Sequence, residues 1–250
     1  MFVIVAVHTA PPVLPAADTS CLMWYGTAML GAHGRRDWLD LSDYAVHFTK
    51  GNAERGYEIV TSILWQQVLT RGPGPFGAAR SYPTLTESQR AVCFSEVPLG
   101  FLGRLATRRG SPYGIGFKKG FLAKHGGGPL WYVDYGSPQH SAILQLMANA
   151  AARGGTDPIW ALTPFIDFPS TDTAPYTYDF RWEREWRVCA DLRFTETDVA
   201  FLVIPEHLHG QARAFFQAHI DGRTGPGYLC PYIDATWNID RVRETMGINP

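Results

Sequence analysis

Apolar and polar positions change period several times along the chain, and each change predicts an element. Ala45-Val46-His47-Phe48-Thr49 alternates as a β-strand does and stops at Lys50-Gly51-Asn52, a turn. From Ala53 to Thr70, Val60, Leu64 and Val68 recur at helical spacing with Ile63 and Gln67 beside them, which predicts an amphipathic helix closed by Gly72-Pro73. A Gly/Pro-rich loop follows, to Pro83. Ala91-Val92-Cys93-Phe94-Ser95-Glu96 reads as a strand cut off by Pro98, and Leu99 to Thr107 as a short helix. Tyr113-Gly114-Ile115-Gly116-Phe117 and Leu130-Trp131-Tyr132-Val133-Asp134 are further strands, and Ser141 to Ala152 is a helix with Ile143, Leu144, Met147 and Ala151 on one side. A strand through Phe180, a hydrophobic strand from Asp198 to Ile204, and helices over His209 to His219 and Ile239 to Met246 complete the pattern. Strands and helices mix without a regular βαβ rhythm or a Gly-x-Gly-x-x-Gly fingerprint, so the expected class is α+β.

The run Asp179-Phe180-Arg181-Trp182-Glu183-Arg184-Glu185-Trp186-Arg187-Val188 is the most informative of these patterns. With period 2, Arg181, Glu183, Glu185 and Arg187 point one way, while Phe180, Trp182, Trp186 and Val188 point to a buried side. Carboxylates two residues apart on a strand have Cβ atoms roughly 6–7 Å apart, a spacing that suits a bound ligand. The same alternation is also what a charge ladder on a solvent-facing antiparallel sheet shows.

Composition narrows the setting. The chain has 250 residues, 46% hydrophobic and 18% charged, enough apolar material for one domain of ordinary to large size. Residues 1–37 read as an irregular lead-in and residues 38–250 as a single folded domain. The formal net charge of −1 gives no global attraction to nucleic acid or membrane. Locally, Val97 to Val133 contains no acidic residue but holds Arg104, Arg108, Arg109, Lys118, Lys119 and Lys124, a candidate basic patch. The four cysteines, Cys21, Cys93, Cys189 and Cys230, are far apart and form no Cys-x-x-Cys pair, which points to reduced thiols in a cytoplasm. The opening Phe2 to Val7 run is too short for a membrane helix and lacks a preceding basic residue, so no membrane association is expected.

Other candidate chemistry is scattered. His47 and Thr49 share one face of the first strand, Glu96 ends a strand where side chains often line a cleft, and Gly114 and Gly116 leave one strand face bare for a ligand or a neighbouring backbone. There is no Gly-x-Ser-x-Gly elbow, Walker loop or His-Glu-x-x-His helix, and His207-Leu208-His209 is too weak a signal for a metal site.

The succession Val46-His47-Phe48-Thr49, Val92-Cys93-Phe94-Ser95-Glu96-Val97-Pro98-Leu99, Tyr113-Gly114-Ile115-Gly116-Phe117 and Trp182-Glu183-Arg184-Glu185-Trp186-Arg187 resembles the AbiGi-type abortive-infection families of bacterial phage defence. The first segment, a His-x-Thr strand followed by a helix and a glycine turn, is also similar to the start of DarT-type DNA ADP-ribosyltransferases. The resemblance covers roughly Tyr44 to Val188 and rests mainly on the order of short motifs. It implies an ADP-ribosyltransferase-like split, mixed β-sheet core with peripheral helices that holds NAD in a cleft. By that analogy His47 and Thr49 contact NAD, Tyr113 or Phe117 packs near the nicotinamide, Glu185 is the catalytic glutamate and Glu183 addresses the acceptor.

The implied reaction is cleavage of the bond between nicotinamide and ribose through an oxocarbenium-like transition state, with transfer of ADP-ribose to a macromolecular acceptor. Arg187, with Arg181, would hold Glu185 ionised from the same face. The basic stretch, with Arg108, Arg109, Lys118 and Lys119, makes DNA or RNA an acceptor to test, with Glu96 as a further substrate contact. A toxin or phage-defence effector with a cognate antitoxin or toxin is the implied setting, with no metal required. NAD hydrolysis by water, or a catalytically silent antitoxin-like module that binds a nucleotide or a partner protein, are the alternatives.

Overall fold

The computed structural model describes residues 42–49, 53–96, 98–169 and 179–248. The expected lead-in over 1–37, with Cys21, the turn at 50–52 and the Val97 start of the basic stretch lie outside them. The elements are β1 (Tyr44–Phe48), α1 (Ala53–Gln66), β2 (Val68–Leu69), β3 (Val92–Ser95), α2 (Leu102–Arg109), β4 (Gly114–Lys118), α3 (Lys119–Lys124), β5 (Gly128–Pro129), β6 (Trp131–Tyr132), α4 (Pro138–Arg153), α5 (Ile159–Leu162), β7 (Ile166–Asp167), β8 (Glu185–Val188), β9 (Leu192–Arg193), β10 (Val199–Val203), α6 (His209–Gly222), β11 (Tyr232–Ile233) and α7 (Ile239–Met246). Among the described residues no helix is long and apolar enough to cross a membrane.

The fold is α+β. Seven strands form one sheet in the order β11-β10-β4-β1-β3-β8-β5, antiparallel except for the parallel β10–β11 pair. Its pairing is uneven: β1 matches β4 over five residue pairs, Tyr44↔Lys118 to Phe48↔Gly114, but meets β3 only at Val46↔Ser95. On the far side of that seam β3 and β8 pair over four residues, from Val92↔Val188 to Ser95↔Glu185.

Register decides which side chains share a face. Val46 opposes Ser95 and Ser95 opposes Glu185, so these three project together, and His47, next in β1, projects to the other side. On the His47 side, Ala45, Phe94, Ile115, Phe117 and Leu202 pack against Val60 and Leu64 of α1 and Ala212 and Phe216 of α6. On the Glu185 side, Val46, Phe48, Phe201 and Val203 pack against Leu102, Leu105 and Ala106 of α2 and Val242 of α7. A third cluster joins Ile143, Met147 and Ala150 of α4 to Trp160, Val133 and Ile166.

Several expectations need correction. The helix expected to Thr70 ends at Gln66, because Gln67 takes a positive φ of 52° and turns the chain into β2, which pairs with β9. The expected helix from Leu99 begins as a 3-10 turn, and α2 runs two residues further, to Arg109, where Gly110 at φ 66° caps it and its N–H bonds back to the helix. The bare face of the glycine strand receives no ligand: a Cβ at Gly116 would fall 2.5 Å from the Phe201 ring, and one at Gly114 2.9 Å from Val46 Cγ1. Close packing of neighbouring strands accounts for both glycines.

The largest correction concerns the charged strand. Only Glu185–Val188 is extended; Arg181–Glu183 forms a 3-10 turn and Arg184 is left-handed at φ 44°. Asp179 sets this turn, its Oδ1 accepting from the Arg181 backbone N–H at 3.0 Å while its carboxylate also holds the Arg181 guanidinium. Such a local side-chain to backbone bond competes directly with the strand ladder. The expected faces hold only within β8, where Val188 and Trp186 join the core side, and fail in the turn before it. Phe180 and Trp182 are 42% and 38% exposed, whereas Glu183, Glu185 and Arg187 are 5%, 8% and 2% exposed.

Candidate functional site

The buried charges gather where β8 begins. Arg187 makes a two-pronged contact with Glu185, Nε to Oε1 at 2.9 Å and Nη2 to Oε2 at 3.1 Å. Its Nη1 donates to the Pro164 carbonyl at 2.6 Å, Nη2 lies 3.6 Å from Asp167, and the guanidinium stands 5.0 Å from the centre of the Phe76 ring. Residues i and i+2 on a strand project together, which is why these two side chains meet without any turn. Burial pulls the Arg187 pKa down, but the hydrogen bonds and charge of Glu185 outweigh it and hold the guanidinium firmly charged.

Glu183 reaches the site from the 3-10 turn. Its carboxylate binds Arg109, the last residue of α2, and Arg109 Nη2 also donates to Ser95 Oγ at 3.3 Å. Burial pushes the Glu183 pKa up; Arg109 counters this, while the nearby Glu185 charge adds to it. Cys93 completes the floor: burial raises its thiol pKa well above the ordinary value, and the Glu185 carboxylate raises it further, so the thiol is a protonated donor rather than a nucleophile. Tyr132 closes the side. Its hydroxyl accepts from the Glu185 backbone N–H at 3.1 Å and donates to the Phe180 carbonyl at 3.3 Å, and burial raises its pKa.

Of the residues singled out from sequence, Glu183, Glu185, Arg187 and Arg109 come together here. His47 does not join them. It lies across the seam on the opposite face, half-buried, with its ring 5.8 Å from that of Phe94 and its Nδ1 2.9 Å from the Cys93 carbonyl, which fixes a proton on that nitrogen. Thr49 is buried with its hydroxyl 3.1 Å from Ser111 Oγ. Tyr113 and Phe117 are core residues, 2% and 0% exposed, with Phe117 against Phe94, Phe121 and Phe194. The expected single cleft from His47 to Glu185 along the Gly114–Phe117 strand is therefore not formed.

The basic stretch also divides. Lys119 belongs to a second cluster, donating to Glu96 Oε1 at 2.8 Å while Trp186 Nε1 donates to Oε2 at 2.7 Å. Lys118 is exposed at the end of β4. Arg108 stays at the surface, stacked 4.8 Å from the Trp182 ring centre, and Arg104 lies 5.9 Å from that of Phe101. Arg181, expected beside Glu185, is instead an exposed partner of Asp179 and Asp134.

Residues not anticipated are Asp167, Tyr132, Ser95 and Cys93. A lone Asp inside the apolar run Phe165-Ile166-Asp167-Phe168 is the one available signal, since a buried carboxylate demands a cation. Arg80 supplies one, 3.2 Å from Asp167, and Arg187 the other. A cavity of about 470 Å³ lined by Trp160, Pro164, Phe165 and Cys189 includes none of the buried carboxylates. Among the described residues no group of His, Cys, Asp and Glu is arranged to hold a metal ion. Comparison of the chain with protein-family models, curated proteins and solved structures finds no match.

Proposed function

We propose that the chain is an NAD-consuming ADP-ribosyltransferase of ADP-ribosyltransferase-like fold, a cytoplasmic toxin or phage-defence effector, with Glu185 as its catalytic carboxylate and Glu183 as the base that receives the acceptor's proton. One observation carries the reading: Glu185 is a buried carboxylate whose orientation is fixed by both prongs of a buried guanidinium. A preoriented anion shielded from water is what a developing oxocarbenium ion requires. The sheet that parts between β1 and β3, joined at Val46↔Ser95 alone, supports the split core that the motif order implies.

The surroundings fit an aromatic, anionic dinucleotide. Arg109 adds positive charge beside Glu183, while Trp182 and Phe180 offer exposed rings. In the reaction the carbon–nitrogen bond breaks with its electron pair leaving on nicotinamide, and the acceptor's oxygen or nitrogen bonds to the ribose carbon as its proton passes to Glu183. Glu185 accepts a hydrogen bond from a ribose hydroxyl, a contact that strengthens as positive charge grows. The acceptor is a macromolecule, with DNA or RNA the class favoured by Arg108, Lys118 and the aromatic surface.

The test is nicotinamide release from NAD by the full chain and by Glu185→Gln. Turnover that disappears in the variant while NAD affinity stays within about threefold supports the role, since the lost contact belongs to the transition state. Turnover equal to that of the parent chain sinks it. A second reading, a catalytically silent module that binds a nucleotide or partner, is favoured by the pairing of Glu183 and Glu185 with arginines, as in a purely structural ion network. It gains if the parent chain releases no nicotinamide with any acceptor or with water.

A further inference from the structure

Two buried side-chain nitrogens among the described residues lack a hydrogen-bond partner, Arg71 Nε and Arg109 Nε. For Arg71 a counter-charge is at hand, Asp191 Oδ1 at 3.5 Å from the same nitrogen. Arg109 is different. Its Nη2 serves two acceptors at once, Glu183 Oε2 and Ser95 Oγ, while the neighbouring Nε is buried and unmet. A guanidinium presents its donors as a planar fork suited to two oxygens of one anion, and a carboxylate approaching a single prong leaves that fork half used. An unmet buried donor costs about 1–3 kcal/mol, so the resting contact is a compromise.

The position of Glu183 explains the compromise. Its backbone is held in the 3-10 turn set by Asp179, with Arg184 at φ 44° behind it, and from there its carboxylate meets Nη2 and leaves Nε uncovered. We infer that Arg109 is the receptor for a phosphate oxyanion, and that Glu183 holds the place of this ligand when it is absent. A phosphate can bring two oxygens to Nε and Nη2 together and carries more charge than the carboxylate it displaces. Ser95 Oγ adds a hydroxyl donor on the same side. The Arg109 side chain is 31% exposed although its Nε is buried, so the ligand enters along the exposed part of the guanidinium and reaches Nε as Glu183 gives way, with Arg108 next to it keeping its charge at the surface over Trp182. Carbonyls at the end of α2 do not oppose the anion freely, since the Gly110 and Ser111 N–H groups already bond to Thr107 and Ala106.

The exchange couples binding to chemistry. When phosphate takes Arg109, Glu183 loses its cation, and its carboxylate is released to accept a proton. This consequence alone rests on the NAD reading, in which the entering group is the pyrophosphate.

Calorimetric titration of the full chain with inorganic pyrophosphate, without NAD, tests the site. The parent chain binds one pyrophosphate; Glu183→Gln binds about tenfold more tightly, because a neutral amide is the weaker competitor for the fork. Arg109→Gln loses binding, and Arg109→Lys, which keeps the charge but not the fork, binds about tenfold more weakly. Unchanged affinity in Arg109→Gln, or no tightening in Glu183→Gln, overturns the inference. An independent readout uses the parent chain alone: the Arg109 Nε–H resonance, assigned through the Arg109→Lys spectrum, shifts on adding pyrophosphate, and a resonance that stays put also overturns it. Pyrophosphate binding without nicotinamide release would defeat the NAD reading alone, and nicotinamide release without pyrophosphate binding the phosphate site alone.

Discussion

Two buried glutamate clusters lie on adjacent strands and on opposite faces, and they solve the same problem differently. Glu96, just past β3, gives one oxygen to Lys119 and the other to the Trp186 indole, so one cation and one neutral donor satisfy one carboxylate. Across the sheet, Glu183, Glu185 and Asp167 share Arg109, Arg187 and Arg80, an interlocked set in which Arg187 touches two carboxylates. The first arrangement is complete in itself and ties the ends of β3, β4 and β8. The second concentrates charge beyond what tying strands together needs, and its members differ in how firmly they are held. Two prongs and a backbone carbonyl fix Arg187, whereas Arg109 is held through one nitrogen. Glu185 is thus held rigidly, and Glu183 beside it exchangeably.

Arg187→Leu has the largest expected effect. It strands Glu185 in the interior, while Asp167 keeps Arg80, and breaking a buried pair from one side costs about 3–5 kcal/mol, to be read as a lowered urea midpoint with the slope unchanged. If the loss is under about 1 kcal/mol, the pair is hydrated rather than buried. Next is Glu185→Gln, which lowers nicotinamide release by about a hundredfold to a thousandfold, the range for removing one charge-stabilising group, with the loss in kcat and not in KM. Lys119→Met is milder. It leaves one Glu96 oxygen unmet while the indole bond survives, a cost of about 1–3 kcal/mol in the same urea experiment, and kcat is unaffected.

The smallest effect is a pH slope. Burial raises the folded-state pKa of Glu183 above its unfolded value, so the folded chain binds the extra proton. The stability linked to that proton is fully present below the ordinary glutamate value, roughly 4.3, and is lost as pH rises through the raised folded value. Glu183→Gln removes this decline, and the difference between the two stability curves across weakly acidic pH measures it. Parallel curves would show that Arg109 cancels the burial effect.

Sequence pattern located most of the scaffold because its periodicity is enforced by a core. β1, β3, β4 and β10 carry apolar residues on both faces or in strict alternation, and α6 and α7 follow their helical spacing, α7 to the residue. The glutamate pair, Arg187 and Arg109 were also legible as chemistry. Their geometry was not, because alternation across residues 179–188 assumes a continuous strand and one Asp179 side chain is enough to replace half of it with a turn. The face of His47 was equally hidden: it depends on which strand pairs with β1 and in which register, and pairing is not written in local pattern. Phe201 filling the bare side of Gly116 is the same kind of fact, a contact between residues far apart in sequence.

The seam between β1 and β3 has a consequence for amide exchange. Five residue pairs bind β1 to β4 and four bind β3 to β8, whereas backbone pairing across the line between them is confined to Val46↔Ser95, and the remaining links are side-chain ones, among them the His47 imidazole on the Cys93 carbonyl, Lys119 on Glu96 and the Phe94–Phe117 ring contact. Separating them breaks few backbone hydrogen bonds, whereas melting either group breaks a full ladder, so opening along this line is expected to cost less than melting either ladder, the shared contact of Phe94 with Phe117 setting that cost. In deuterated solvent the amides facing the seam exchange through that opening well before those buried within the β1–β4 and β3–β8 ladders.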